Sequence, residues 1–267
     1  MRALHPAHRR VLAQASTALA IFPALLLLST SPLLKAQEQL AAGPKVEEIE
    51  PGIYQIGAMR LDKKRNTLSF PAKVNMNEGL LEYLIVGPEG STHESLLVCD
   101  IPPTQLHFAM LLLGAKGAAG AQVVAPGVPS QLNADYLRAA PQLRGESITI
   151  TAFWDQNGTR KSAPIEDWLR NPSTKKAAAR GPWTYSGSTM TEGHLRAELD
   201  HCIASLVTNP AALINNPRPE SNDDTVWEPA PKKVPKPQTL LQIVLQLPLP
   251  TAPSPAPAPN PSSNPKP

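Results

Sequence analysis

Between Ser91 and Gly117 the chain reads STHESLLVCDIPPTQLHFAMLLLGAKG, which sets His93, Glu94, Cys99, Asp100 and His107 among leucines and a methionine. Imidazoles and a carboxylate are ordinary ligands for Zn²⁺ and other divalent transition metals. His93, Glu94 and His107 are therefore a candidate metal site if the fold brings them to one point. The spacing is not that of a helical His-Glu-x-x-His site, because Leu97 stands where the second histidine belongs. A second reading makes the same groups a polar network. A histidine in an apolar helix needs partners for its ring nitrogens, and His93, Glu94 and Glu82, with Cys99 and Asp100 close in sequence, would satisfy one another and set a sheet register. A third reading places His93 and Glu94 on the rim of a ligand pocket.

Nucleophilic chemistry has less support. Cys99 with His93 or His107 has the residue types of a Cys-His pair, but it lies in a run of leucines without a neighbouring cation to favour the thiolate. YSGS at 185–188 offers Ser186 and Ser188, yet Tyr185 occupies the first glycine position of a nucleophile elbow, so it reads as a strand end with a tight turn. SNDDTVW at 221–227 lacks the ligand spacing of a calcium loop and reads as solvated. His194, His201, Glu192 and Asp200 read as surface residues. Two cysteines, Cys99 and Cys202, cannot supply the four thiolates of an iron–sulfur cluster. Both end or open apolar runs and are expected as buried free thiols. The competing reading is a disulfide, which on closing so long a loop would contribute about 4 to 5 kcal/mol.

The elements that must position these groups are mostly strands. GIYQIG at 52–57, TLSFPAKV at 67–74, LLEYLIV at 80–86, ESLLVC at 94–99, PWTYSGS at 182–188, DHCIASLVTNP at 200–210 and TLLQIVLQL at 239–247 have strand patterns, with Leu68, Phe70 and Ala72 on a core face. GPEGS at 87–91 between two apolar runs predicts an antiparallel hairpin, and Asn157-Gly158 predicts another within 147–163. Pro102-Pro103 and Gly114 bracket a helix over about 103–113 that is apolar on nearly all faces and so expected to be buried. IEDWLRN and AALINN read as short helical pieces. The fold class these elements predict is α+β, an antiparallel or mixed sheet with one buried helix.

The two ends differ from this interior. Basic residues before the apolar run Ala18–Leu28, followed by small residues, predict an export signal over 1–36, with a linker at 37–49. The alternative for the same segment is an uncleaved membrane anchor, the one route by which a membrane contact is expected. Residues 248–267 hold nine prolines and read as a disordered tail. The net charge of +3 comes from the leader, since residues 1–36 carry four basic and no acidic side chains against 21 basic and 22 acidic beyond it. That balance, without basic clusters interleaved with aromatics along the chain, gives no support for nucleic-acid binding.

The order LEYLIV, HESLLVCDIPPTQLHFAMLLLGAKG, DWLRN, WTYSGS, AALINN and DDTVWEPA resembles the YdjY-like domain family of exported bacterial proteins, over about residues 50–247. The resemblance implies export, a single domain and no agreed biochemical activity. Some members carry ferredoxin-style names, which the two cysteines here do not support. TNPAALIN departs from the pattern, which has an acidic residue before the proline. The function expected from all this is an exported module binding a small ligand, a metal or an envelope protein. The alternatives are a metal-dependent enzyme or redox component using a His/Glu site, and a structural envelope protein.

Overall fold

The computed structural model describes residues 44–117 and 143–249. The expected export signal lies outside those residues, as do residues 118–142 and nearly all of the proline-rich tail; of the expected linker at 37–49, residues 46–49 instead belong to the first strand. Strands β1 (Val46–Glu50), β2 (Ile53–Ile56), β3 (Met59–Asp62) and β4 (Thr67–Val74) form an antiparallel meander. β5 (Tyr83–Val86) and β6 (Ser95–Val98) follow, then helix α1 (Pro103–Leu113). The hairpin β7 (Glu146–Gln156) and β8 (Thr159–Pro164) leads through β9 (Leu169–Arg170) to β10 (Trp183–Tyr185). A ribbon of β11 (Met190–Thr191) and β12 (His194–Leu195) and the one-turn helix α2 (Arg196–Leu199) precede β13 (Cys202–Ser205) and β14 (Ile214–Asn215). β15 (Glu228–Pro229) pairs with β9, and β16 (Leu240–Gln246) is last.

The pairings run β4, β16, β7, β10, β14, β13, β5, β6 and return from β6 to β4, so eight strands close into a barrel. This overturns the α+β expectation: the protein is mostly β, and its one helix of more than a turn among the described residues packs on the barrel instead of being enclosed. Closure depends on β4. One side of β4 pairs with β16 along its whole length, while the other pairs with β3 at Thr67–Ser69 and with β6 at Lys73–Val74. Pro71, which has no N–H to donate, falls in the gap between those two partners. Leu68, Phe70, Ala72 and Val74 alternate into the core, as the period-two pattern predicts.

Helix α1 starts at Pro103 and stops at Gly114, whose φ of 108° only glycine adopts freely. It is half-buried where complete burial was expected: Leu106, Ala109, Met110 and Leu113 face the core, but Leu111 is 46% exposed. Its first turn is capped from outside by Glu198 of α2, whose carboxylate accepts from the Thr104 backbone N–H at 2.8 Å and the Thr104 hydroxyl at 2.9 Å.

Two other local expectations are corrected. β5 and β6 pair in parallel, not as a hairpin, and β13 and β14 do the same. Each pair is joined by a crossover of equal length, residues 87–94 and 206–213, where about a dozen residues is usual. Every residue of β5 and β6 is buried except the half-buried Tyr83, as is usual of parallel strands covered on both sides. AALINN is a turn entering β14, and IEDWLRN divides into a 3₁₀ turn at Ile165–Trp168 and β9. The Asn157-Gly158 hairpin forms as the sequence predicts, with φ of 52° and 72° at its two central residues.

Candidate functional site

β5 and β13 lie side by side and antiparallel in the barrel wall, so their two crossovers face one another. Between them is a cleft of about 630 Å³, lined by Glu82, Tyr83, Ser91, His93, His201 and Thr208 with several neighbours. The backbone of Glu82 joins both sides. Its N–H donates to the Glu94 carbonyl at 3.0 Å, and its own carbonyl accepts from Leu206 and Val207 at 2.9 and 3.2 Å. Asn75 holds the 87–94 crossover from below, donating through its side-chain amide to the carbonyls of Thr92 and Ser95.

The close packing of this crossover accounts for its glycines. A Cβ on Gly90 would lie 3.0 Å from the His201 carbonyl oxygen, and one on Gly87 would lie 3.2 Å from the His201 Cβ. His201 itself adopts a left-handed φ of 49°, which brings its carbonyl onto the Gly87 N–H at 2.7 Å. The turn formers of GPEGS therefore allow close approach and do not form a hairpin turn.

Glu82 and Glu94 are brought together, with His93 Nε2 3.5 Å from a Glu94 oxygen on the exposed side. Burial, and next the negative charge of Glu94 and of Asp224, push the Glu82 carboxyl up to about 7, and His93 opposes the shift. Such a group changes charge near neutral pH. Tyr83 on the same wall is hydrogen-bonded to Ser91, and burial holds its phenol well above the usual range. Asp200 and Glu89 also line the cleft, and each has a partner: Arg196 at 2.9 Å and His201 at 3.4 Å. The lining contains no lysine or arginine among the described residues.

The remaining residues singled out from sequence lie elsewhere. His107 on α1 makes a 2.7 Å hydrogen bond through Nδ1 to the Tyr185 hydroxyl, and burial lowers its pKa. Gly187 leaves room for that ring, since a Cβ there would sit 3.2 Å from His107 Cε1. Among the described residues no group of three or more His, Cys, Asp and Glu side chains is placed to hold a metal ion. His93, Glu94 and His107 thus do not converge. Asp100 is exposed, and Cys99 is buried with its thiol donating to the Pro71 carbonyl, burial pushing it up to about 11. Both cysteines are free thiols. Ser186 and Ser188 are buried and bonded to backbone carbonyls of the 206–213 crossover. Asp223 accepts from the Thr225 N–H and hydroxyl in a local turn. Sequence reading missed Tyr83, Ser91, Thr208 and the part played by His201, because they meet only through the parallel crossovers.

A family model, the YdjY domain, matches residues 59–246. No curated protein and no solved structure matches the chain.

Proposed function

The chain belongs to the YdjY domain family, a family of unassigned function, and from that premise we propose that it is an exported ligand-binding module that holds a small polar ligand in the cleft between its two crossovers. The observation that carries this reading is the cleft itself, whose volume of about 630 Å³ is in the range of small-molecule sites. The groups converging on it favour a neutral or cationic ligand. They include a carboxyl near neutrality at Glu82, imidazoles at His93 and His201, and hydroxyls at Tyr83 and Thr208. An anion would meet Glu82 and Glu89, Asp200 being already paired with Arg196, and no lysine or arginine lines the cleft among the described residues. Binding without transformation is the simpler reading because the nucleophiles at hand are engaged. Burial keeps the Cys202 thiol protonated, and the Ser205 hydroxyl donates to the Val207 carbonyl at 2.6 Å.

The test is thermal unfolding of the full chain against spermidine, glucosamine and neutral monosaccharides, repeated with Glu82→Ala and His93→Ala. A ligand at a hundred times its Kd adds about 2.7 kcal/mol of stability, enough to read as a rise in Tm. The expected result is a saturable rise in the native chain that both variants lose. No rise with any probe, or an equal rise in Glu82→Ala, overturns the reading.

A further inference from the structure

A second recess, of about 420 Å³, has the opposite chemistry. It lies between the end of β7, at Trp154–Asn157, and the connection from β15 to β16, which brings Lys232, Lys233 and Lys236 to its wall. Lys161 on β8 stands directly across from Trp154 in the sheet register. None of these four lysines is in an ion pair among the described residues, and the one carboxylate lining the recess, Asp155, is occupied by Arg160 at 3.5 Å. Elsewhere in this nearly neutral domain the arginines are mostly matched: Arg60, Arg65, Arg170, Arg180, Arg196 and Arg218 each have an acidic partner.

The loop that carries the lysines is a built structure. Lys232 and Gln238 take left-handed φ of 62° and 68°, which folds the segment back on itself. It is tied at both ends, by Lys233 N–H to the Ala230 carbonyl at 3.1 Å and by Gln238 N–H to the Val74 carbonyl at 2.7 Å. The Thr239 N–H and hydroxyl both donate to the Lys236 carbonyl, at 3.1 and 2.6 Å. Trp154 is half-buried and braced edge-on against Trp168, with centroids 5.3 Å apart, so an apolar ring is held beside the ammonium groups. All four lysines are exposed, so water screens their mutual repulsion and leaves their ammonium groups open to an entering anion.

We propose that this recess binds a phosphate-bearing ligand, its phosphate held by Lys232, Lys233 and Lys236 and its adjoining apolar or ring portion resting against Trp154. Lysine acts on phosphate as a mobile point charge, whereas planar bidentate recognition of carboxylates favours arginine, and the cations on the recess walls are lysines, with no arginine among them. The phosphate belongs either to a soluble ester or to a phospholipid headgroup.

Two arms of one experiment separate these sources. The full chain is titrated with inorganic pyrophosphate while tryptophan fluorescence is read, and it is sedimented with phosphatidylcholine vesicles with and without phosphatidylglycerol. Both arms are repeated with the Lys233→Gln/Lys236→Gln double variant and with the charge-retaining Lys233→Arg/Lys236→Arg variant. Because the apolar N-terminal run can contact vesicles by itself, the difference between variants is the readout. The expected result is binding about tenfold weaker in the glutamine variant, retained in the arginine variant and reduced by salt. A change confined to pyrophosphate assigns a soluble ligand, and one confined to anionic vesicles assigns a headgroup. Absence of binding to both probes, or equal binding by native chain and glutamine variant, overturns the proposal.

Discussion

Glu82 is a carboxyl whose protonation is set by position. In the unfolded chain it loses its proton near 4.5, the ordinary value for a glutamate, while in the folded cleft it keeps it to about 7. The folded state therefore binds more protons between those values, and this group's contribution to stability is complete below about pH 4.5 and lost as pH rises through about 7. Glu82→Gln keeps an amide that can donate to Glu94 and cannot ionise. The expected outcome is a variant that is more stable than the native chain at pH 8, with the gap closing toward pH 5, as measured by denaturant unfolding across that range. His107, whose pKa is lowered by burial, acts in the opposite sense, and comparison with the variant removes its effect. An unchanged pH profile in Glu82→Gln would show that Glu82 does not titrate over this range. Glu82, Glu94 and His93 were visible in sequence as polar residues in apolar surroundings. Their separation from His107 was not, because a helix face cannot be assigned to a neighbour before the strand order is known.

Away from the cleft, a buried ion pair joins two elements that are distant in sequence. Arg218, in the segment after β14, places its guanidinium 3.1 Å from Glu166 in the turn before β9, with both side chains under a tenth exposed. The same guanidinium lies 5.0 Å over the Trp183 ring and donates to the Ala179 carbonyl, while Glu166 accepts from the Trp183 indole N–H at 2.9 Å. Removing one partner leaves an uncompensated buried charge. Arg218→Ala is expected to cost about 3 to 5 kcal/mol in equilibrium unfolding. The double variant Arg218→Met/Glu166→Gln should recover part of that loss, because neither charge is then left alone. A cost below 1 kcal/mol for the single variant would show that the segment holds by other contacts. Nothing in the local pattern of either residue announced this pair, since 52 positions separate them. The hairpin at Asn157-Gly158 and the ends of α1 were legible because turn and cap chemistry is local.

At the scale of the molecule, closure of the barrel decides what reagents can reach. Cys99 and Cys202 are each 1% exposed and unpaired. Neither is expected to react with a thiol reagent until the barrel opens. Titration with Ellman's reagent should then give no fast thiol in buffer and two in denaturant, with Tm unaffected by reductant. A native-state thiol, or a Tm that falls on reduction, would contradict the arrangement. The amino-acid sequence by itself determined most of the longer strand segments, the core face of β4, the limits of α1, the tight Asn-Gly turn and the family, because periodicity, caps and turn residues act within a few positions; it did not mark β1, which overlaps the expected linker, or β3, and it read the stretches that hold β9 and β14 as helical. Tertiary structure alone decided that the strands close into a barrel, that β5–β6 and β13–β14 run parallel, and which polar residues share a cleft. Those outcomes depend on strand order and direction, and an apolar run that is covered on both faces fits equally well beside either neighbour until the whole set of backbone hydrogen bonds is satisfied.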